Sequence, residues 1–185
     1  MCSLIIGLDE RTWYCDRLYG VIGRALAHAQ DFEGECKVLA TMLQVRTDPD
    51  YPKPDAITTL VKRLHKLPLG PHVKYLASQV RTSTAESFDE DSAGWLSDFF
   101  ETKLDDAREA RNAIAHDLAT GIKNSMSDQD VESFIEQVKT AVLKIVDAYV
   151  LVFNLTQRLT KEDATLDVGQ FSEAVIDWVC SIEND

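Results

Sequence analysis

Apolar residues recur at Leu18, Ile22, Ala25, Ala29, Phe32, Cys36, Leu39 and Leu43 in alternating steps of four and three. That spacing predicts one long helix over about residues 10–46. Gly20, Gly23 and Gly34 lie off the seam and each weaken the helix by up to ~1 kcal/mol, so the pattern allows a bend. The run Asp48-Pro49-Asp50-Tyr51-Pro52-Lys53-Pro54 ends it, because proline removes a backbone donor and clashes with the preceding turn. Shorter helices are expected over residues 55–66 and 71–82, broken by Pro68, Gly70 and Pro71, with a polar loop over residues 82–92. Ser92 is then placed to cap a helix over residues 93–119 that stops at Gly121. Ser127, with Asp130 three residues on, is a variant of the capping box. The helix it opens carries Val131, Phe134, Ile135, Val138, Val142, Ile145, Tyr149, Val152, Phe153 and Leu159 on one face to about Thr160. A last amphipathic helix uses Phe171, Val175, Ile176, Trp178 and Val179.

These elements predict an all-α, up-and-down helical bundle with two long helices and additional short ones, formed as a single domain over residues 1–185. Antiparallel neighbours follow from two long helices and a third of middle length. A hydrophobic share of 45% and a charged share of 27% belong to a globular chain able to bury a core. No window is apolar enough for a membrane span, and the N-terminal segment lacks the basic start of a signal peptide. A cytoplasmic location without membrane contact is the expectation. Cys2, Cys15, Cys36 and Cys180 have no metal-site spacing and read as small apolar residues. Trp13, Trp95 and Trp178 read as packing residues rather than base-stacking platforms.

The net charge of −12 argues against general polyanion binding. The charge is polarised, however. Residues 56–85 hold no acid but carry Lys62, Arg63, Lys66, Lys74 and Arg81 beside His65 and His72. After Lys161 there are seven acids and no base. The basic stretch, together with Arg108, is either a solvated face or a track for RNA.

One position breaks the apolar logic. On a helical wheel, Phe100, Leu104, Ala107, Ile114 and Leu118 fall within roughly 60° of Arg111. An arginine stays charged and is costly to bury alone, so an anion is expected to meet it. The candidates are a core acid such as Glu33 or Glu35, or a ligand. Asn112 follows directly, and His116 lies five residues on, ~140° round an ideal helix from Arg111. Fraying of the helix before His116, or completion of the site by a second subunit across a two-fold axis, would reconcile the two.

Arg111-Asn112-Ala113-Ile114-Ala115-His116 resembles the Arg-x(4–6)-His signature of the HEPN superfamily, the higher eukaryotes and prokaryotes nucleotide-binding domains. The stretch from Ala25 to Glu33 is also similar to bacterial members, and the likeness covers about residues 10–160. The resemblance implies a helical bundle acting as a homodimer and a metal-independent endoribonuclease of a toxin–antitoxin or defence system. It also implies an RNA substrate and regulation by an antitoxin or other protein; no cofactor and no metal are expected. Some relatives are instead non-catalytic interaction or scaffold modules, which an acidic binding surface would suit. The chemistry fits beside the likeness. His116 can exchange a proton near neutral pH, Arg111 offers a rigid fork for a phosphate, and Asn112 can orient His116 or the substrate. From Asp98 to Lys123 six acids face four bases, so RNA binding would need a second subunit, the basic stretch or a presenting partner. His28, His65 and His72 are expected to be ordinary surface or core residues.

Overall fold

The computed structural model describes residues 13–47, 54–87, 90–122, 126–161 and 164–181. The long first helix α1 is Trp13–Thr47, and α2 and α3 are Pro54–His65 and Leu69–Ser87. Helix α4, Glu90–Asn112, runs without a break into a π-helical segment, Ala113–Leu118, and a short tail α5, Ala119–Gly121. Helices α6, Asp128–Thr160, and α7, Val168–Cys180, complete the chain. The fold is all-α, and no strand occurs among the described residues.

Four helices close a ring: α1 packs on α3 and α6, and α4 packs on α3 and α6. Helix α2 leans on α1, while α7 lies against α6 and α1. The α1 seam behaves as its spacing requires, with Leu18, Ile22, Ala25, Ala29, Phe32, Cys36 and Leu39 buried and Leu43 packed at the margin. Helix α6 buries more than a stripe. Val146, Ala148 and Val150 join the expected face because α1, α4 and α7 cover it from three sides.

Local chemistry marks the ends. Ser127 Oγ accepts from the Asp130 N–H at 3.3 Å, and Asp130 Oδ2 accepts from the Ser127 N–H at 2.9 Å. Two backbone donors at the start of α6 are thus satisfied. At the other end Lys161 takes a left-handed conformation, φ 60°, and its N–H returns to the carbonyls of Gln157 and Arg158. Asn154 bonds through its amide to both backbone groups of Leu166, fixing the α6–α7 connection. Arg24 reaches from α1 to the carbonyls of Val179 and Ser181 at 3.0 and 2.7 Å, closing α7 from the far side of the sequence.

Three expectations are corrected. Residues 82–87 continue α3 and residues 90–92 begin α4, so the loop expected over 82–92 is helical apart from residues 88 and 89, which lie outside the described set. That polar run contains no glycine or proline, and the packing of α3 on α4 overrides its weak propensity. Ser92 accordingly lies inside α4, two residues past its first residue, rather than ahead of it. Gly121 does end its helix, but by a turn to extended backbone at Ile122, φ −71° and ψ 123°, rather than by a left-handed glycine. Trp95 and Trp178 are exposed, 65% and 46%, and are not packing residues. The side chain of Trp13 lies outside the described set.

Phe32 is fully buried at the centre of the α1 seam. Phe32→Ala is expected to destabilise the fold by about 3–5 kcal/mol in urea unfolding, through lost burial and the cavity left behind.

Candidate functional site

Arg111 leaves the core at the edge where α4 meets the start of α3. Its side chain is 33% exposed and its Nη2 lies 3.7 Å from Glu33 Oε2 of α1. That distance is an ion pair but too long for a hydrogen bond. Glu33 is held more closely by Lys37, one turn on, at 2.8 Å. Glu33 rather than Glu35 is therefore the carboxylate that meets the arginine, and it does so loosely. Burial first, and then the charge of Asp31, raise the pKa of Glu35. Arg111 Nη1 donates to Asn112 Oδ1 at 3.3 Å, so Asn112 steadies the guanidinium.

The guanidinium opens on a cleft of about 250 Å³ whose walls include Arg108, Arg111, Asn112, Glu33 and the segment from Pro68 to Pro71. That segment enters the first turn of α3, which carries no acidic residue. The positive dipole end of a 19-residue helix therefore lies at the cleft with Arg108 and Arg111. The stem of Arg108 lies against Gly70, 3.9 Å from where a Cβ would stand. Its Nε donates to Asp105 at 3.0 Å, which draws part of its charge outward. Such a cleft can take one small anionic group such as a phosphate. The sequence places a helix start at Pro71 but not its position beside Arg111, which the packing of α3 on α4 decides.

His116 is exposed and does not line this cleft. The expected fraying before His116 does not occur, because the chain stays helical through residues 113–121. The backbone passes through a π turn in which the Ala119 N–H returns to the Ile114 carbonyl, five residues back. An i→i+5 turn rotates each residue by only ~80°, so the angle between Arg111 and His116 narrows from ~140° to ~90°. Ile114 stays fully buried while His116 is exposed. Such interruptions concentrate at functional positions.

The basic residues disperse. Lys62, Arg63 and Lys66 are exposed at the C-terminal part of α2 and just beyond it, and Lys74 is exposed on α3. Arg81 is spent on α4, donating to Ser97 Oγ at 3.3 Å and Glu101 Oε2 at 3.1 Å. Of the expected RNA-binding residues, Arg108 lines the Arg111 cleft and the other five are not in its lining. Among the described residues no group of three or more His, Cys, Asp or Glu is placed to hold a metal ion. No described helix is long and apolar enough to cross a membrane.

His72 is buried and its Nε2 bonds to the Leu64 carbonyl at 3.1 Å, tying α3 to α2. His28 is buried between Tyr149 and Phe171, ring centroids 5.6 and 6.0 Å away, and its Nε2 has no partner. The side chain of His65 lies outside the described set. Cys36 is a buried thiol whose ionisation burial pushes far up. Comparison of the chain with family models, curated proteins and solved structures gives no match.

Burial lowers the pKa of both His28 and His72, against a smaller opposing influence of Asp31 on the first and the Leu64 carbonyl on the second. The unfolded chain keeps an ordinary value near 6.5 and binds protons first as pH falls. Unfolding free energy should therefore be flat between about pH 7 and 8 and decline below ~6.5, and the raised pKa of Cys36 should bring a second decline above about pH 9. Urea titrations at stepped pH check this, and His28→Leu should flatten the acid-side decline.

Proposed function

We propose that the chain is a HEPN-type, metal-independent endoribonuclease of a toxin–antitoxin or defence system, working as a homodimer. One observation carries this reading. Arg111, set within an apolar stripe, is neither sealed nor bidentately paired but opens with Arg108 and the start of α3 on an anion-sized cleft. A purely structural arginine would be expected to pair closely inside its own core.

In this reading the phosphate of the RNA backbone enters the cleft and takes the place of Glu33 as the counter-charge of Arg111. Asn112 holds the guanidinium fork, and Arg108 and the α3 dipole add to the field on the non-bridging oxygens. A general base removes the proton of the 2′-hydroxyl, whose oxygen bonds to phosphorus as the bond to the 5′ oxygen breaks. A general acid returns a proton to that leaving oxygen, giving a 2′,3′-cyclic phosphate and a 5′-hydroxyl end. His116 serves these steps, and because it stands outside its own Arg111 cleft, the second subunit brings the two sets of residues to one seam. Lys62, Arg63, Lys66 and Lys74 offer outer contacts for the strand. A second reading, a non-catalytic interaction module, is favoured by the acidic outer face of α4, where Asp98, Glu101, Asp105, Asp106 and Glu109 line one cleft.

Purified protein incubated with tRNA and total RNA in chelator should cut RNA, and His116→Ala should slow cutting by ~10²–10⁴-fold. RNA left intact by the wild-type protein overturns the nuclease in favour of the module. Light scattering at micromolar concentration should give about twice the 20.7 kDa chain mass; a strict monomer counts against the shared seam.

A further inference from the structure

Helix α7 is held to the bundle by little buried surface, and the histidine beneath it lacks a partner. Of its 13 residues only Val175 and Val179 are buried. Its two ends are tied: Asn154 bonds both backbone groups of Leu166 just ahead of it, and Arg24 reaches the carbonyls of Val179 and Ser181. Between these ties the helix rests on an aromatic cluster. Phe171 stacks on Tyr149 of α6, with ring centroids 5.2 Å apart and planes 24° from parallel, and Tyr149 stacks in turn on Phe153. His28 of α1 closes the cluster, its ring 5.6 Å from Tyr149 and 6.0 Å from Phe171. The histidine is 5% exposed, and its Nε2 meets no hydrogen-bond partner.

A neutral imidazole suits that place, since its ring packs as an aromatic. A proton changes this, because the ring then carries a full charge and two donors between two aromatic side chains. The groups that face it are few. Burial disfavours the charged form, and Asp31, one turn on along α1, opposes burial only in part, so His28 is neutral near pH 7. Burial, and then Glu35 and Asp31 of α1, hold the Tyr149 hydroxyl of α6 in its protonated form. On α7 the facing side chain is Phe171, while Glu173 and Asp177 are exposed. Water reaching the ring would relieve a buried charge, and of the two helices that cover it α7 is the one able to leave. Helix α6 buries twelve residues and α7 buries two, and local opening begins where least is buried.

We propose that α7 is a proton-sensitive flap: protonation of His28 releases α7 from α1 and α6 and uncovers the Tyr149–Phe153 stack. The bonds between Asn154 and Leu166 do not involve the cluster and keep the released helix tethered to α6. With α7 seated the ring binds its proton more weakly than when water reaches it, so acid favours the released form. The opening constant therefore rises by up to about tenfold per pH unit once pH falls below ~6.5, the ordinary histidine value. None of these residues lines the Arg111 cleft, so the flap is independent of the nuclease reading.

Hydrogen–deuterium exchange of the full chain, read by mass spectrometry from about pH 5 to 7.5 and corrected for intrinsic rates, tests this. Protection of α7, Val168–Cys180, should be level above ~pH 6.5 and fall below it by up to about tenfold per pH unit. The core stretch of α6 from Val131 to Val146 should keep its protection over the same interval. His28→Phe, which keeps a ring in the cluster but cannot take a proton, should leave α7 equally protected at every pH. In the wild-type chain the assigned His28 ring signals in carbon–proton NMR spectra should titrate over the interval in which α7 loses protection. An unchanged α7 at about pH 5, a loss shared equally by α6, or a loss retained in His28→Phe overturns the proposal. Should circular dichroism show that His28→Phe does not fold, the wild-type spectra decide: a His28 ring that gains its proton while α7 stays protected overturns it.

Discussion

A guanidinium cannot give up its charge, and a helix cannot turn one residue out of an apolar stripe without moving its neighbours. The bundle accommodates both facts at Arg111. Leu104, Ala107 and Ile114 stay buried on either side of it, while the arginine emerges where α4 passes the start of α3 and the middle of α1. The carboxylate waiting there, Glu33, is shared with Lys37 and stands 3.7 Å away. A loose, third-exposed ion pair adds little to stability, about 0–1 kcal/mol. What the arrangement does supply is positive field in a concave place, from Arg111, Arg108 and the first turn of α3.

The π turn follows from the same tension. Ile114 must remain in the core to pack with α1 and α6, yet the chain must leave α4 toward Gly121. Widening the turn lets one part of the helix hold the core while the next is rotated, and His116 is carried with it. The site is thus coupled to core packing through backbone hydrogen bonding rather than through side-chain contacts. A change in how α4 seats on α6 would be felt at His116.

Charge is distributed so that the bundle partly neutralises itself. Basic α3 lies on acidic α4, and Arg81 spans to Ser97 and Glu101. Farther along α4, Asp105 and Glu109 lie 3.0 and 3.8 Å from Arg108. Two faces of one helix therefore differ in chemistry: one edge carries Arg108 and Arg111 at a cleft, and another is lined by five carboxylates.

Much of this was legible in the order of residues, because periodicity, proline breaks and caps are local. The α1 seam, the Ser127–Asp130 box and the α6 face could be read with nearly correct limits, since each depends on residues three or four apart. The anomaly at Arg111 was equally visible. Contacts between helices were not. Which acid meets Arg111, whether residues 82–87 stay helical, whether Trp95 is covered and where the π turn falls all depend on which side chains distant segments bring together. The amino-acid order alone determined the helices and the residue that had to find an anion. Only the packing of α1, α3, α4 and α6 decided that this anion is Glu33 at arm's length, because burial and electrostatics act through space while helix formation acts along the chain.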